Sequence, residues 1–210
     1  MKIISDFISS QKNAFYWIYK NPIKFFCPII IGIIIYSFNK LVSWNSNVFF
    51  MFIYAFFETN VVLFISSFYI LNYCKINLNK INLLKILLCS FINLCLFGFI
   101  EYLKWGHNVN EIVLYLLKSG FYTIMTIVIL LIIDKQVKIK DVLKKFIGIM
   151  VLFIIWILLS IIIYLLLENK LKYNINQNIF NKLIQSIQFI IIIVYTFLLI
   201  ANIKNSMKQN

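Results

Sequence analysis

Six long apolar runs decide what this chain can become. They cover residues 23–42, 48–71, 83–101, 111–133, 146–167 and 179–201, each near the roughly 20 residues that a helix needs to cross about 30 Å of hydrocarbon. Unpaired backbone groups are prohibitive in lipid, so runs this long can only be helices. With 62% of its residues apolar or aromatic and a mean hydropathy of +0.92, the chain keeps little length for a soluble catalytic domain. The sequence therefore predicts an all-α, polytopic membrane protein. It should form a single transmembrane helical domain over residues 1–210, with six transmembrane helices, in a bacterial cell membrane.

Lysines orient those helices. The leader carries Lys2, Lys12, Lys20 and Lys24; the loop after the second span carries Lys75, Lys80 and Lys85; and the loop after the fourth carries Lys135, Lys138, Lys140, Lys144 and Lys145. Lys-rich segments of this length stay in the cytoplasm. Near the first external loop there is only Lys40, and the next balances Lys104 against Glu101 and Glu111. The fifth connection is less clear, with Lys170, Lys172 and Lys182 against Glu168, while Lys204 and Lys208 draw the C-terminus inside. Both termini are thus expected in the cytoplasm. The basic face formed by Lys75 to Lys145 would meet anionic headgroups of membrane lipids or a cytosolic or membrane partner subunit. The formal charge is +13, but it comes from twenty lysines and no arginine. Arginine is the usual bidentate reader of bases and phosphates, so nucleic acid is not an expected partner.

Ahead of the first span, Ile4, Phe7, Ile8, Phe15 and Ile18 fall near one helical face, away from Ser5, Asp6, Ser9 and Lys12. This pattern predicts an N-terminal interfacial helix, retained because no small-x-small cleavage site follows it. Asn21 and Pro22 should end it and open the span. The inside loops "NKINLLKIL" (Asn79 to Leu87) and "KIKDVLKKF" (Lys138 to Phe146) align with each other, which places Asn82 and Asp141 as helix N-caps and raises an internal repeat. Trp17, Trp44 and Trp105 sit near span ends, as aromatic rings do at headgroups. Gly98 and Gly120 are candidate points of close helix approach.

"KNPIKFFCPIIIG" (Lys20 to Gly32) with "VKIKDVLKKFIG" (Val137 to Gly148) resembles the membrane domain that precedes glycerophosphoryl diester phosphodiesterase in some bacteria, and related stand-alone six-helix proteins. The resemblance implies topology rather than activity. These 210 residues carry no phosphodiesterase-like cluster of acidic and histidine residues.

Several polar side chains interrupt the apolar runs. Counted from the outer span ends, Glu58, Asn93, Lys118, Gln185 and Gln188 share one layer, with Thr59 and Asn60 beside Glu58. A charge at a span's centre costs about 2.5–3.5 kcal/mol on insertion scales, so Glu58 and Lys118 are expected to face inward and meet each other. The layer reads either as packing glue, aided by Ser119, Thr123 and Thr126, or as an outward-facing polar site for a small solute, peptide or headgroup. Proton coupling through Glu58 is a third reading. Catalysis has no candidate residues: His107 and Glu111 share a helical spacing, but one histidine makes no usual zinc site and no HExxH is present. Cys27, Cys74, Cys89 and Cys95 form no CxxC pair, and neither metal nor cofactor is expected. A transport or transport-associated subunit with an outward-facing intramembrane site is the expectation. The alternative is a non-transporting protein that organises lipids, or assembles or protects a membrane complex.

Overall fold

The structure, a computed structural model, describes residues 2–42, 48–107, 111–171 and 177–205, with side chains described for a subset of these. Trp44 and Lys172 lie outside the described residues, as do the side chains of Lys40, Trp105, Lys170, Lys182 and Gln185. Eight helices make up the described chain: α1 (Lys2–Lys20), α2 (Pro22–Val42), α3 (Val48–Tyr73), α4 (Lys80–His107), α5 (Glu111–Ile133), α6 (Ile139–Lys144), α7 (Phe146–Leu171) and α8 (Gln177–Lys204). Each apolar run coincides with a helix, and no strand occurs among the described residues. By length and composition five helices can cross a membrane, through Ala55–Tyr73, Lys80–Leu103, Leu116–Ile133, Phe146–Leu167 and Ile187–Lys204. A sixth follows if Ile4–Lys20 and Pro22–Ile34 count as one broken span.

The helix ends show why the chain breaks where it does. Asn21 closes α1 by donating from both its backbone N and its Nδ2 to the Trp17 carbonyl, at 2.9 and 3.1 Å. Pro22 then occupies the first position of α2, where its missing N–H costs nothing. At the end of α3, Ile76 N donates to Leu71 O at 2.8 Å and Lys75 N to Asn72 O at 3.4 Å, while Lys75 takes φ 55°. That is a Schellman stop with a lysine in the left-handed position usually held by glycine. The N-cap of α4 is Asn79, whose Oδ1 accepts from Asn82 N at 2.8 Å. Asn82, expected as the cap, is one turn further in and donates to Asn77 O instead. Asp141 likewise sits in the first turn of α6 and is not its cap.

The chain divides into two compact units, one of residues 1–21 and 139–210, the other of residues 22–138. In the second unit, α3 is central and packs against α2, α4 and α5. Val61, Leu63, Tyr69 and Ile70 are fully or almost fully buried along it. Tyr69 stacks on Phe25 of α2 and donates to the Phe25 carbonyl at 2.8 Å. Ser66, Ser67 and Ser90 each turn their hydroxyl back to the carbonyl four residues earlier, at 2.7–2.9 Å. These buried serines offer neighbouring helices a small, already satisfied surface.

In the first unit, α8 is central. It packs against α7 through Ile149, Leu152, Trp156 and Ser160, a buried stripe at helical spacing, and the Trp156 ring stacks on Tyr195 with centroids 4.9 Å apart. Most other α7 side chains, including Ile154, Leu158, Ile162 and Leu166, are exposed apolar groups suited to lipid. Helix α1 packs against α8 as well. Its surface falls into three sectors, unlike the single apolar face expected. Ser10, Ala14 and Trp17 turn toward α8; Ile4, Ile8, Phe15 and Tyr19 form an exposed apolar arc; Lys12, Asn13 and Lys20 occupy the polar remainder. Phe7, at the edge of the expected apolar face, borders the docked side and lies against Gly148.

Glycine packing also differs from the expectation. A Cβ at Gly98 or Gly120 would meet nothing within 4 Å, whereas at Gly148 it would stand 2.8 Å from Asn202 Nδ2 and 3.2 Å from Phe7 Cδ2. Close approach therefore occurs at Gly148. Thermal denaturation should find Gly98→Ala and Gly120→Ala neutral or stabilising by up to about 1 kcal/mol, and Gly148→Ala destabilising. By the same measurement, Lys75→Gly should stabilise by about 1 kcal/mol and Lys75→Val should destabilise, because only glycine enters the left-handed region freely.

Candidate functional site: the intramembrane polar groups

The expected polar layer resolves into separate arrangements. At the centre of the second unit, Asn93 of α4 reaches across to α3, where its Nδ2 donates to Thr59 O at 2.9 Å and to Asn60 Oδ1 at 3.1 Å. Asn60 donates in turn to Phe56 O at 2.9 Å and to Thr59 Oγ1 at 3.3 Å, and Thr59 Oγ1 donates to Ala55 O at 2.7 Å. Tyr122 of α5 adds a longer bond to the Thr59 carbonyl, 3.4 Å. Asn60 and Asn93 are fully buried. The network ties three helices together, and Phe56 against Phe91 (5.3 Å) and Phe97 against Tyr122 (4.9 Å) pack around it. Thr126 Oγ1 makes a marginal 3.5 Å bond to Ser66 Oγ, and Thr123 and Ser119 are linked through the Ser119 carbonyl.

Lys118 does not meet Glu58. Its Nζ pairs with Glu101 Oε1 at 2.7 Å, in a bridge whose side chains are 36% and 49% exposed, and it lies 5.9 Å from the Phe97 ring. The correction follows from helix length. Because α4 continues to His107, Glu101 sits inside a helix and not in a loop, opposite the beginning of the antiparallel α5. At the other end of that hairpin, Lys85 donates to Ile132 O at 3.0 Å and caps the last turn of α5, where a cation also favours the helix dipole.

Glu58 is half-buried within α3, and no cation among the described side chains pairs with it. Two residues along a helix turn it through about 200°, so Glu58 and Asn60 lie on different sides of α3. Glu58 is in line with Tyr69, about three turns away, and Tyr69 faces α2. Glu58 therefore belongs to the α2 side of α3, and the Asn60 network to the α4 and α5 side. Gln188 lies half-buried on α8, in the other unit, and the Gln185 side chain is outside the described residues.

The basic face is also divided. Lys75, Lys80, Lys135 and Lys138 are exposed at one end of the second unit, interspersed with exposed Leu78 and Ile81. Lys140 and Lys144 are exposed on α6, whereas Lys145 is mostly buried and stands 3.9 Å from Asp6 of α1. His107 ends α4 and Glu111 begins α5, so the pair does not share one helix. The four cysteines are free thiols, and among the described residues no three His, Cys, Asp or Glu side chains gather as metal ligands.

Sequence reasoning missed the Glu101–Lys118 pair, Asn79 as a cap and the roles of Lys85 and Gly148. Asn79 was legible from its position one turn before a polar-to-apolar change; the others depend on contacts between helices. Compared with protein-family models, curated proteins and solved structures, the chain matches none.

A double-mutant cycle on thermal stability should give Lys118→Met and Glu101→Gln a coupling of about 0.2–1 kcal/mol, the range for a largely exposed bridge. Lys118→Met and Glu58→Gln should instead add. Asn93→Leu should cost about 1–3 kcal/mol by leaving Asn60 Oδ1 buried without its donor.

Proposed function

We propose that this multi-pass membrane protein is a transport or transport-associated subunit of a bacterial cell membrane, in which Glu58 is the group that meets the transported or coupling cation. The observation that carries this reading is Glu58 itself, half-buried about three turns into α3, where no described cation neutralises it. An ionisable group within a span is costly, and such groups mark ion pathways and proton relays. The Asn60–Asn93 network plays a different part here. Its donors are engaged within and between helices, which makes it a clasp for α3 and α4 and leaves Glu58 as the candidate contact.

In this reading both termini and the exposed lysines face the cytoplasm, as the charge bias of the loops requires. Lys75, Lys80 and Lys135, with Leu78 and Ile81 among them, suit anionic headgroups or a partner subunit. That exposed basic end is also what favours the second reading, a non-transporting protein that organises lipids or assembles a membrane complex.

Ion flux separates the two. Full-length protein in liposomes containing a pH-sensitive dye or, in parallel, a sodium-sensitive one, under an imposed potassium diffusion potential, should move protons or sodium ions faster than protein-free vesicles. Glu58→Gln should reduce the flux to the protein-free level, while Glu101→Gln should retain it. Equal fluxes in wild type and Glu58→Gln, or none above empty vesicles, would reject the proposed role and leave the non-transporting reading.

A further inference from the structure

Two contacts align α1 with α8 in an antiparallel seam. Asn205 Nδ2 donates to the Ser10 carbonyl at 3.2 Å, and Trp17 lies against Phe197 with ring centroids 5.1 Å apart. Gln11 and Asn202 fall between these two contacts, Gln11 next to Ser10 and Asn202 about one turn before Asn205. Both amide groups are buried, Asn202 completely. Neither the nitrogen nor the oxygen of either amide has a hydrogen-bond partner.

A third helix closes the same place. The Asn202 amide lies over Gly148 of α7, and Phe7, one turn before Gln11, touches that glycine from α1. Any side chain at Gly148 would occupy the space. Other polar side chains of this unit return to nearby backbone, as Ser9 does to Asp6 O and Thr196 to Ile193 O. Single orphan atoms occur elsewhere, such as Ser160 Oγ and Asn93 Oδ1, but along this seam both polar atoms of two amides are left over. A buried donor or acceptor without a partner loses its hydration and gains nothing in return.

We propose that the Gln11–Asn202 seam binds a neutral hydroxyl group that bridges the two amides. Each amide offers both a donor NH2 and an acceptor oxygen, so a molecule that donates and accepts at once can join them. A net ion is a poorer match: Asp6 and Lys145 are of opposite sign and 3.9 Å apart, and buried Lys204, two residues from Asn202, is turned about 200° away from it around α8. Water and the glycerol hydroxyl of a phosphatidylglycerol headgroup share this chemistry. The exposed arc of Ile4, Ile8, Phe15 and Tyr19 beside Lys12 suits α1 to the membrane interface, where both are at hand. The proposal is independent of Glu58.

The test measures melting temperature for full-length protein in nanodiscs of phosphatidylcholine alone or with phosphatidylglycerol, using wild type, Gln11→Met, Asn202→Leu and the double variant. With a bridging hydroxyl, each single change should lower Tm by about 3 °C or more, and the double change should add little, because either one already breaks the bridge. The same coupling in both lipids identifies water as the source; coupling only with phosphatidylglycerol identifies the headgroup. If the single variants raise Tm, the amides have no occupant and the proposal is overturned; independent additive losses overturn it as well. Should Asn202→Leu fail to fold, Gln11→Met on the partly exposed α1 still reads the sign: a fall in Tm supports the bridge and a rise rejects it.

Discussion

In hydrocarbon a polar atom has no water to return to, and the bond from Asn93 to α3 is where this fold meets that constraint most fully. A single amide crosses from α4 to the Thr59 carbonyl and the Asn60 side chain. Once it does so, the depth of α4 against α3 is set, because sliding either helix by one residue would strand buried polar groups. The remaining contacts of that unit agree with this register. Phe91 meets Phe56 nearby, and Tyr122 brings α5 to the same carbonyl. Lys85 and Lys118 then tie the two ends of the α4–α5 hairpin, one to a helix terminus and the other to Glu101.

The same constraint separates the polar residues by task. Serines and threonines that hydrogen-bond the preceding turn are already satisfied and allow close packing, so they ask nothing of a neighbour. Asn60 and Asn93 are satisfied mainly across an interface, and so they join helices. Glu58 has no cation paired with it among the described side chains, and the buried amides of Gln11 and Asn202 have no hydrogen-bond partner. A residue kept at such a cost is the natural place to look for something the chain binds. Glu58 and the α1–α8 seam are such places, whereas the better-connected Asn60–Asn93 network holds helices together.

Depth was easier to read from sequence than direction. Counting residues from span ends placed Glu58, Asn93 and Lys118 at similar depths, and Asn93 does join Asn60. It could not show that Glu58 and Asn60, two residues apart, point to different sides of α3, nor that α4 extends far enough to present Glu101 to Lys118. The lysine loops were legible as exposed ends, yet Lys85 and Lys145 turn to local tasks, because a nearby terminal carbonyl or carboxylate competes with solvent for a flexible ammonium. In α1 the periodicity revealed an amphipathic helix. Only the presence of α8 divided its surface into a docked sector and an exposed apolar one.

The sequence by itself determined the class of fold and the position of every long helix, since chain length per span and backbone pairing in lipid are local requirements that composition alone can meet or fail. It also determined where α1 stops and α2 begins, through Asn21–Pro22, since the hydrogen bonds of Asn21 run to a carbonyl only a turn away. Tertiary structure decided which charges meet, which glycine is crowded and which amides are left over. Those outcomes depend on the rotation of one helix against another, and rotation is set by the sum of many weak contacts between residues distant in the chain.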